Sequence, residues 1–348
     1  MNSTNVYVCY TVMHLYISIL KVFHSKVQKN ILVITDHINE YKYFVEVLNK
    51  TKIFDQILIV EDRKLSERFN SKRTNFIFFQ KKIKQFFDKE TRLGQVLNDA
   101  GKINSIYIFL DETRTSQYLM FTDHNVVLVE DGSGLYSIEK LNLKRIVKGF
   151  LGIPRTRGKD KRVNVIEATK PDKLISSIRH KAILLNIADL QKNINKEQKD
   201  ILMNIFFSSK FSSNKINDEK KRKVLLLTQP FSEDNCINEE LKIKIYNSII
   251  EQYINDYSVY IKPHPREITD YKKVISHNII EIQRNFPIEL FNIIPNLVFD
   301  KIISINSSAV NNLYCAYEKI QLGIDYNKEL SVGYYNSFRI KKSNKLLI

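Results

Sequence analysis

The chain has 348 residues, and because domains usually run to about 100–200 residues, two domains are expected. Hydrophobic residues make up 43% and aromatics 11%, which excludes a disordered or collagen-like chain. Lys and Arg number 54 against 38 Asp and Glu, a formal net charge of +16. Such a balance bears on partners rather than fold, and three anionic classes suit it: nucleic acid, a membrane surface, or a phosphorylated or acidic small substrate. Cys9, Cys236 and Cys315 are too few and too widely spaced for a disulfide framework or a zinc pattern, which fits a reducing cytoplasm. The opening stretch NSTNVYVCYTVMHLYISILKVF has no basic start and no small-residue cleavage site, and His14 and Lys21 interrupt its apolar run. Neither a signal peptide nor a transmembrane helix is expected there.

In chain order, short β-branched runs alternate with segments of helical period. Strand Val6 to Tyr10 leads to an amphipathic helix over Val12 to Val27 with apolar residues at 12, 15, 16, 19, 20, 22 and 23. Strand Ile31 to Ile34, helix Tyr41 to Leu48, strand Ile57 to Val60, a basic amphipathic helix Gln80 to Leu97, and strands Ile106 to Leu110 and Val126 to Val129 follow. Near-continuously apolar strands separated by helices are the pattern of a parallel sheet covered on both faces. A Lys- and Asn-rich stretch from Gln191 to Arg222 reads as a helix running into a linker.

Beyond it the rhythm restarts: strand Val224 to Leu227, helix Glu239 to Ile254, strands Ser258 to Lys262 and Ile279 to Ile282, and a turn or helix near Pro287 to Ile294. Strand Lys301 to Ile305, helix Ser308 to Tyr317 and strand Lys319 to Leu322 complete it. The expected architecture is α/β, two doubly wound Rossmann-like domains over residues 1–220 and 221–348, facing a central cleft where the carboxyl ends of the strands would place a ligand.

Four clusters lie at predicted strand ends. Glu130-Asp131-Gly132-Ser133-Gly134 puts two acids before a sharp turn, a suitable place for a general base or, more plainly, a solvated turn with a helix cap. Lys262-Pro263-His264-Pro265-Arg266-Glu267 holds an imidazole on stiff backbone between two cations. Pro263 fixes its own φ and Pro265 drives His264 out of the helical region, so the group is placed to meet a phosphate and return a proton to it. Ser307 and Ser308 stand where a strand enters a helix, an anion site or an ordinary N-cap. Glu233 and Asp234 follow the first strand of the second half and offer another acid or a cap. No Asp-x-Asp metal clamp and no GxxxxGK[ST] loop occurs, and position 137 is Ser where a GxGxxG fingerprint needs Gly.

An acidic pair before Gly, a His-Pro after a later strand and then a Ser-Ser pair, in that order, resemble the motifs of bacterial sialyltransferases. The nearest likeness is to glycosyltransferase family 52, which includes lipooligosaccharide sialyltransferases. Asn5 to Thr11 resembles the first strand and turn of that family, so the likeness runs from about residue 5 to 325. The resemblance implies a GT-B fold, CMP-sialic acid as donor substrate with no resident cofactor or metal, inversion at the anomeric carbon, and a glycan acceptor such as a lipooligosaccharide or capsule galactose. Carried across, His264 is the general acid, and Lys262, Pro263, Pro265 and Arg266 contact the nucleotide. Ser307 and Ser308 hold the phosphate, Ile280 and Glu281 read cytidine and ribose, and Gly132 turns the chain beside the acids. The general base is Asp131 or Glu130 by one family pattern and Asp234, with Glu233 beside it, by another.

A homodimer and a cytoplasmic enzyme working against an anionic membrane leaflet are further expectations. Another GT-B transferase, of capsule or teichoic-acid type, is the alternative enzyme. A nucleic-acid-binding protein would use the basic run Lys140, Lys144, Arg145, Lys148, Arg155, Arg157, Lys159, Lys161 and Arg162, but no nucleic-acid signature accompanies it, so no nucleic-acid partner is expected.

Overall fold

The computed structural model describes residues 3–69, 78–136, 153–207 and 222–344, the side chains of Ser133, Ser308 and 338–344 excepted. The chain divides into two compact units, 1–205 and 206–348. The boundary expected at residue 220 falls at 208–221, outside the described residues.

In the first unit, seven strands form one wholly parallel sheet: β1 Ser3–Cys9, β2 Lys29–Thr35, β3 Gln56–Val60, β4 Lys102–Ile108, β5 Val126–Val129, β6 Val163–Ala168 and β7 Ala182–Leu184. Their order is β3-β2-β1-β4-β5-β6-β7, so the winding reverses between β1 and β4. Val6, Val8, Ile106, Ile108, Val126 and Leu128 from the central strands are all at most 2% exposed, and each such side chain withdrawn from water contributes about 1.5–3 kcal/mol. Helix Val12–Phe23 starts where Thr11, in extended backbone, accepts the His14 N–H at 3.2 Å. The single helix expected over 80–97 is two, Phe79–Glu90 and Arg92–Asp99. Thr91 breaks it: its backbone is extended, and its hydroxyl donates to Phe87 O (2.7 Å) while accepting Gly94 N–H (3.1 Å), ending one helix and capping the next.

The second unit has five parallel strands: β8 Arg222–Leu227, β9 Tyr257–Lys262, β10 Ile279–Glu281, β11 Phe299–Ser304 and β12 Ala316–Gln321. The order β10-β9-β8-β11-β12 reverses between β8 and β11. Val224, Leu226, Val259, Ile261 and Ile303 pack with Ile245 and Ile249 of helix Glu239–Glu251 in one core. The helix expected over Ser308–Tyr317 is instead a short 3₁₀ turn, Ser308–Asn312. The Asn292 side chain donates to Asn312 O (2.8 Å) and accepts Tyr314 N–H (2.7 Å), so the helical ladder stops and β12 begins at Ala316. Ile280 and Glu281 lie within β10, in the strand expected over Ile279 to Ile282.

Helix Lys328–Asn344 closes this unit against the loop that follows β8. Phe231 meets Tyr334 edge to face, and Cys236 Sγ lies 3.2 Å from Ser337 Oγ. Gly333 sits so close to the Cys236 carbonyl that any β-carbon would collide with it. Gly333→Ala should therefore destabilise the second unit by about 1–3 kcal/mol, read as a lower urea midpoint; an unchanged midpoint would show that the helix is not seated on this loop.

Candidate active site

In doubly wound sheets, ligands collect at the carboxyl ends of the strands near the reversal of winding. In the first unit that edge carries Tyr10 and His14 after β1, Asp62 after β3 and Glu130 and Asp131 after β5. The two adjacent acids have different surroundings. Glu130 is a brace: its carboxylate accepts Tyr136 OH (2.7 Å), Thr169 N–H (2.5 Å) and the Thr169 hydroxyl (2.9 Å), while its own N–H donates to Glu167 O (2.9 Å). Asp131 takes no part in that network, and directly after it the chain turns at Gly132, whose φ of +69° is one that β-carbons disfavour.

The Asp131 side chain is 37% exposed, and its Oδ1 lies 3.1 Å from Nε2 of His14, a side chain only 1% exposed. The His14 ring stacks on Phe109 (centroids 4.2 Å, planes 9° apart), and its Nδ1 accepts Tyr10 N–H at 3.2 Å. A second imidazole–carboxylate pair stands nearby, His37 Nε2 to Asp62 Oδ2 at 3.4 Å, with Asp62 Oδ1 accepting Thr115 N–H (2.8 Å) and hydroxyl (2.5 Å). Sequence reasoning missed His14, His37 and Asp62. Their one local signal was a polar residue directly after an apolar strand or at the head of an apolar helix.

In the second unit the described side chains converge on Lys242. Its ammonium is wholly buried between Glu233 (3.0 Å) and Glu239 (2.9 Å), with Glu267 at 3.8 Å. Each carboxylate ties down a different residue of the segment after β9. Glu233 accepts Ile268 N–H (2.9 Å), Glu239 accepts the Thr269 hydroxyl (2.5 Å), and Glu267 accepts His264 N–H (2.6 Å), Thr228 OH (2.5 Å) and Tyr271 OH (2.6 Å). Burial raises the Glu267 carboxyl against the lowering effect of those hydroxyl donors. For Glu233, burial is outweighed by the Ile268 N–H and the Lys242 ammonium, which hold it below the usual range.

The segment 263–269 is thereby fixed. His264 Nδ1 accepts Arg266 N–H at 3.1 Å, so the neutral ring carries its hydrogen on Nε2. Burial, with Arg266 and Lys262 adding to it, pushes His264 down to about 4.

Asp234 and Arg266, expected as base and nucleotide contact, form a two-point ion pair (2.7 and 2.9 Å). Lys262 is buried rather than displayed, its ammonium donating to Pro263 O (2.7 Å) and Arg284 O (2.9 Å). Desolvation lowers it to about 7, against the opposing pull of Glu267 and Glu289. Pro263 is buried and Pro265 exposed. Gln229 links the loop after β8 to the turn after β11 by accepting Asn306 N–H (2.7 Å), and Ser307 Oγ caps Ala309 N–H (3.4 Å); of Ser308 only the backbone is described. Ile280 and Glu281 lie beside Tyr260 and Ile261 of β9, and the Glu281 carboxylate, raised by burial, accepts Lys272 N–H at 3.2 Å.

Thus His264, Arg266, Asp234 and Glu233 share one cluster, and Asp131 stands apart from Glu130 on the first unit. Of the basic run, Lys140, Lys144, Arg145 and Lys148 lie outside the described residues, while Arg162 pairs with Asp160 at 3.4 Å. Among the described residues no group of three or more His, Cys, Asp or Glu could hold a metal ion, and no helix is long and apolar enough to cross a membrane.

The sequence profile of glycosyltransferase family 52 matches residues 59–320. An uncharacterized protein of Haemophilus influenzae is 33% identical over 183 residues, covering 52% of this chain and 57% of that protein, so the match spans little more than half of either. The crystal structure of an α/β-galactoside α-2,3-sialyltransferase from Photobacterium phosphoreum is similar in fold, with a TM-score of 0.54, 14% identity and 95% of each chain covered. A UDP-GlcNAc 2-epimerase of Methanocaldococcus jannaschii, in complex with UDP-GlcNAc and UDP, aligns with a TM-score of 0.49 and 13% identity over 98% of this chain and 92% of that one.

Lys242→Met should cost the second unit about 3–5 kcal/mol, because it strands three carboxylates in a buried site; chemical denaturation checks this, and a loss under about 1 kcal/mol would remove Lys242 from its central place. In the ligand-free protein, NMR titration of the His264 ring should give a midpoint near 4. A folded value below the ordinary His range means that the unfolded chain binds the extra proton. The neutral ring's contribution to stability is therefore present above about pH 6.5 and lost as pH falls toward 4.

Proposed function

Since the chain belongs to glycosyltransferase family 52, we propose that it is an inverting sialyltransferase, moving sialic acid from CMP-sialic acid to a galactose hydroxyl of a bacterial surface glycan. The observation that carries this reading is the His264 segment. An imidazole with Nε2–H lies between two prolines at the end of β9, its backbone anchored on Glu267 and its Nδ1 occupied by Arg266 N–H. Such a group would present its Nε2–H, not its Nδ1, to a phosphate.

In the proposed reaction Asp131 accepts the proton of the acceptor hydroxyl, and the oxygen attacks the anomeric carbon from the face opposite the nucleotide. The bond from that carbon to the phosphate oxygen breaks, and His264, made imidazolium by protonation at Nδ1 with release of the Arg266 N–H, gives its Nε2 proton to the departing CMP and is left neutral with its hydrogen on Nδ1. The low ordinary affinity of His264 for a proton is caused by burial and by neighbouring cations; a phosphate beside Nε2 has the opposite effect and favours imidazolium. The donor therefore loads its own acid. Arg266 and the backbone around Ser307 and Ser308 would meet the phosphate, and Ile280 and Glu281 the nucleoside. Asp234 is the weaker candidate for base, because both its oxygens already accept guanidinium N–H groups. Work on a lipid-linked or polyanionic acceptor at the inner face of a membrane would account for the remaining positive charge.

The protein should transfer or hydrolyse sialic acid from CMP-sialic acid in the presence of lactose-type acceptors, and His264→Ala should lower kcat by about 10²- to 10⁴-fold with the melting temperature nearly unchanged. CMP should also raise the His264 titration midpoint and stabilise the protein in a thermal-shift assay more than UDP or GDP does. Selective stabilisation by UDP or GDP would point to a different GT-B transferase.

A further inference from the structure

We propose that His14 is the positioning residue for the acceptor-activating base, its Nε2 standing 3.1 Å from Asp131 Oδ1 so that the other carboxylate oxygen stays open to the incoming hydroxyl. This rests on the reading of Asp131 as base.

The geometry is one-sided. Asp131 leaves the buried end of β5 on backbone that reverses at Gly132, so its short side chain has little of its own to fix it. His14 is held from every direction. Its backbone N–H is bound by the Thr11 hydroxyl, its ring lies flat on buried Phe109, and its Nδ1 accepts Tyr10 N–H. With Nδ1 an acceptor, the ring hydrogen sits on Nε2, 3.1 Å from Asp131 Oδ1. Oδ2 has no hydrogen-bond partner among the described residues.

A fixed imidazole beside one oxygen orients a carboxylate by charge and contact while leaving the second oxygen for substrate, whereas the paired guanidinium donors of Arg266 occupy both oxygens of Asp234. His14 does not itself reach substrate: its side chain is 1% exposed and both nitrogens face protein atoms. The arrangement follows the rule that a general base works when a neighbour locks its orientation, since misplacement by about 1 Å can cost 10²-fold in rate.

Two substitutions separate positioning from packing. In His14→Asn the amide can replace Nδ1 as acceptor for Tyr10 N–H but falls short of Asp131. In His14→Gln the amide nitrogen reaches the place of Nε2 and loses the Nδ1 contact. Steady-state kinetics with CMP-sialic acid and lactose should show His14→Asn lowering kcat about 10²-fold with donor KM within about threefold, His14→Gln recovering at least about tenfold of that loss, and His14→Asn/Asp131→Asn no slower than Asp131→Asn alone.

Melting curves on each variant accompany the rates. If Asp131→Asn is inactive while folded His14→Asn keeps wild-type kcat, or if Asn and Gln lose activity equally and in step with melting temperature, His14 has a packing role only and the proposal is overturned. If the wild-type protein transfers nothing from CMP-sialic acid, or Asp131→Asn retains full turnover, the activity reading or the base assignment fails first, and the proposal with it.

Discussion

A single buried ammonium organises the second unit. Lys242 brings together carboxylates from the loop after β8, from its own helix and from the loop after β9, and each of those carboxylates then holds a backbone amide or hydroxyl in the His264 segment or next to it. Two loops that have no regular structure of their own are thereby tied to each other. Ion pairs in such surroundings cost nearly as much in desolvation as they return. What the cluster supplies is definition: in the ligand-free protein Glu267 holds the His264 backbone and Arg266 N–H sets the tautomer of its neutral ring.

The first unit uses a comparable device with smaller parts. Glu130 joins the end of β5 to the residues after β6, which leaves Asp131 as the carboxylate that points out, and an imidazole in the first turn after β1 meets it. In both units, then, a residue with chemical potential is flanked by one that only fixes it, Glu267 for His264 and His14 for Asp131. Glu267 lies only three residues from His264 and is itself held by Thr228 from the loop after β8, whereas His14 comes from an element distant in sequence. His14 and Asp131, and Thr228 and Glu267, meet only through the strand order, which sets β1 two places from β5 and β8 beside β9.

That distance explains what the sequence could and could not tell. The parallel sheets were legible because β1, β2, β5, β8 and β9 are apolar almost throughout, and strand ends then located the Glu130-Asp131 and Lys262–Glu267 segments. Strand β6 was passed over because Asn164 and Glu167 interrupt its apolar run; both polar groups have tertiary partners, Asn164 accepting Val126 N–H and Glu167 pairing with Lys21. The break at Thr91 hid inside an unbroken amphipathic period, since a Thr that caps one helix and ends another looks locally like any helical Thr. Lys242 reads as one more solvated lysine on a helix, and nothing near it in sequence announces three carboxylates arriving from elsewhere. Lys262 misled in the opposite sense: its place beside His264 suggested a phosphate contact, while its carbonyl partners turn the ammonium into the interior.

The burial of Lys262 also changes what the formal charge means at this loop. With its ammonium desolvated and lowered to about 7, and with Arg266 already matched to Asp234, the segment is close to electrically balanced at neutral pH despite its two cationic residues. An anion arriving there meets aimed donors rather than a broad positive potential. Ionic strength screens potentials far more than it weakens short directional contacts, so the binding of an anion at this loop would be a matter of fit and largely indifferent to salt.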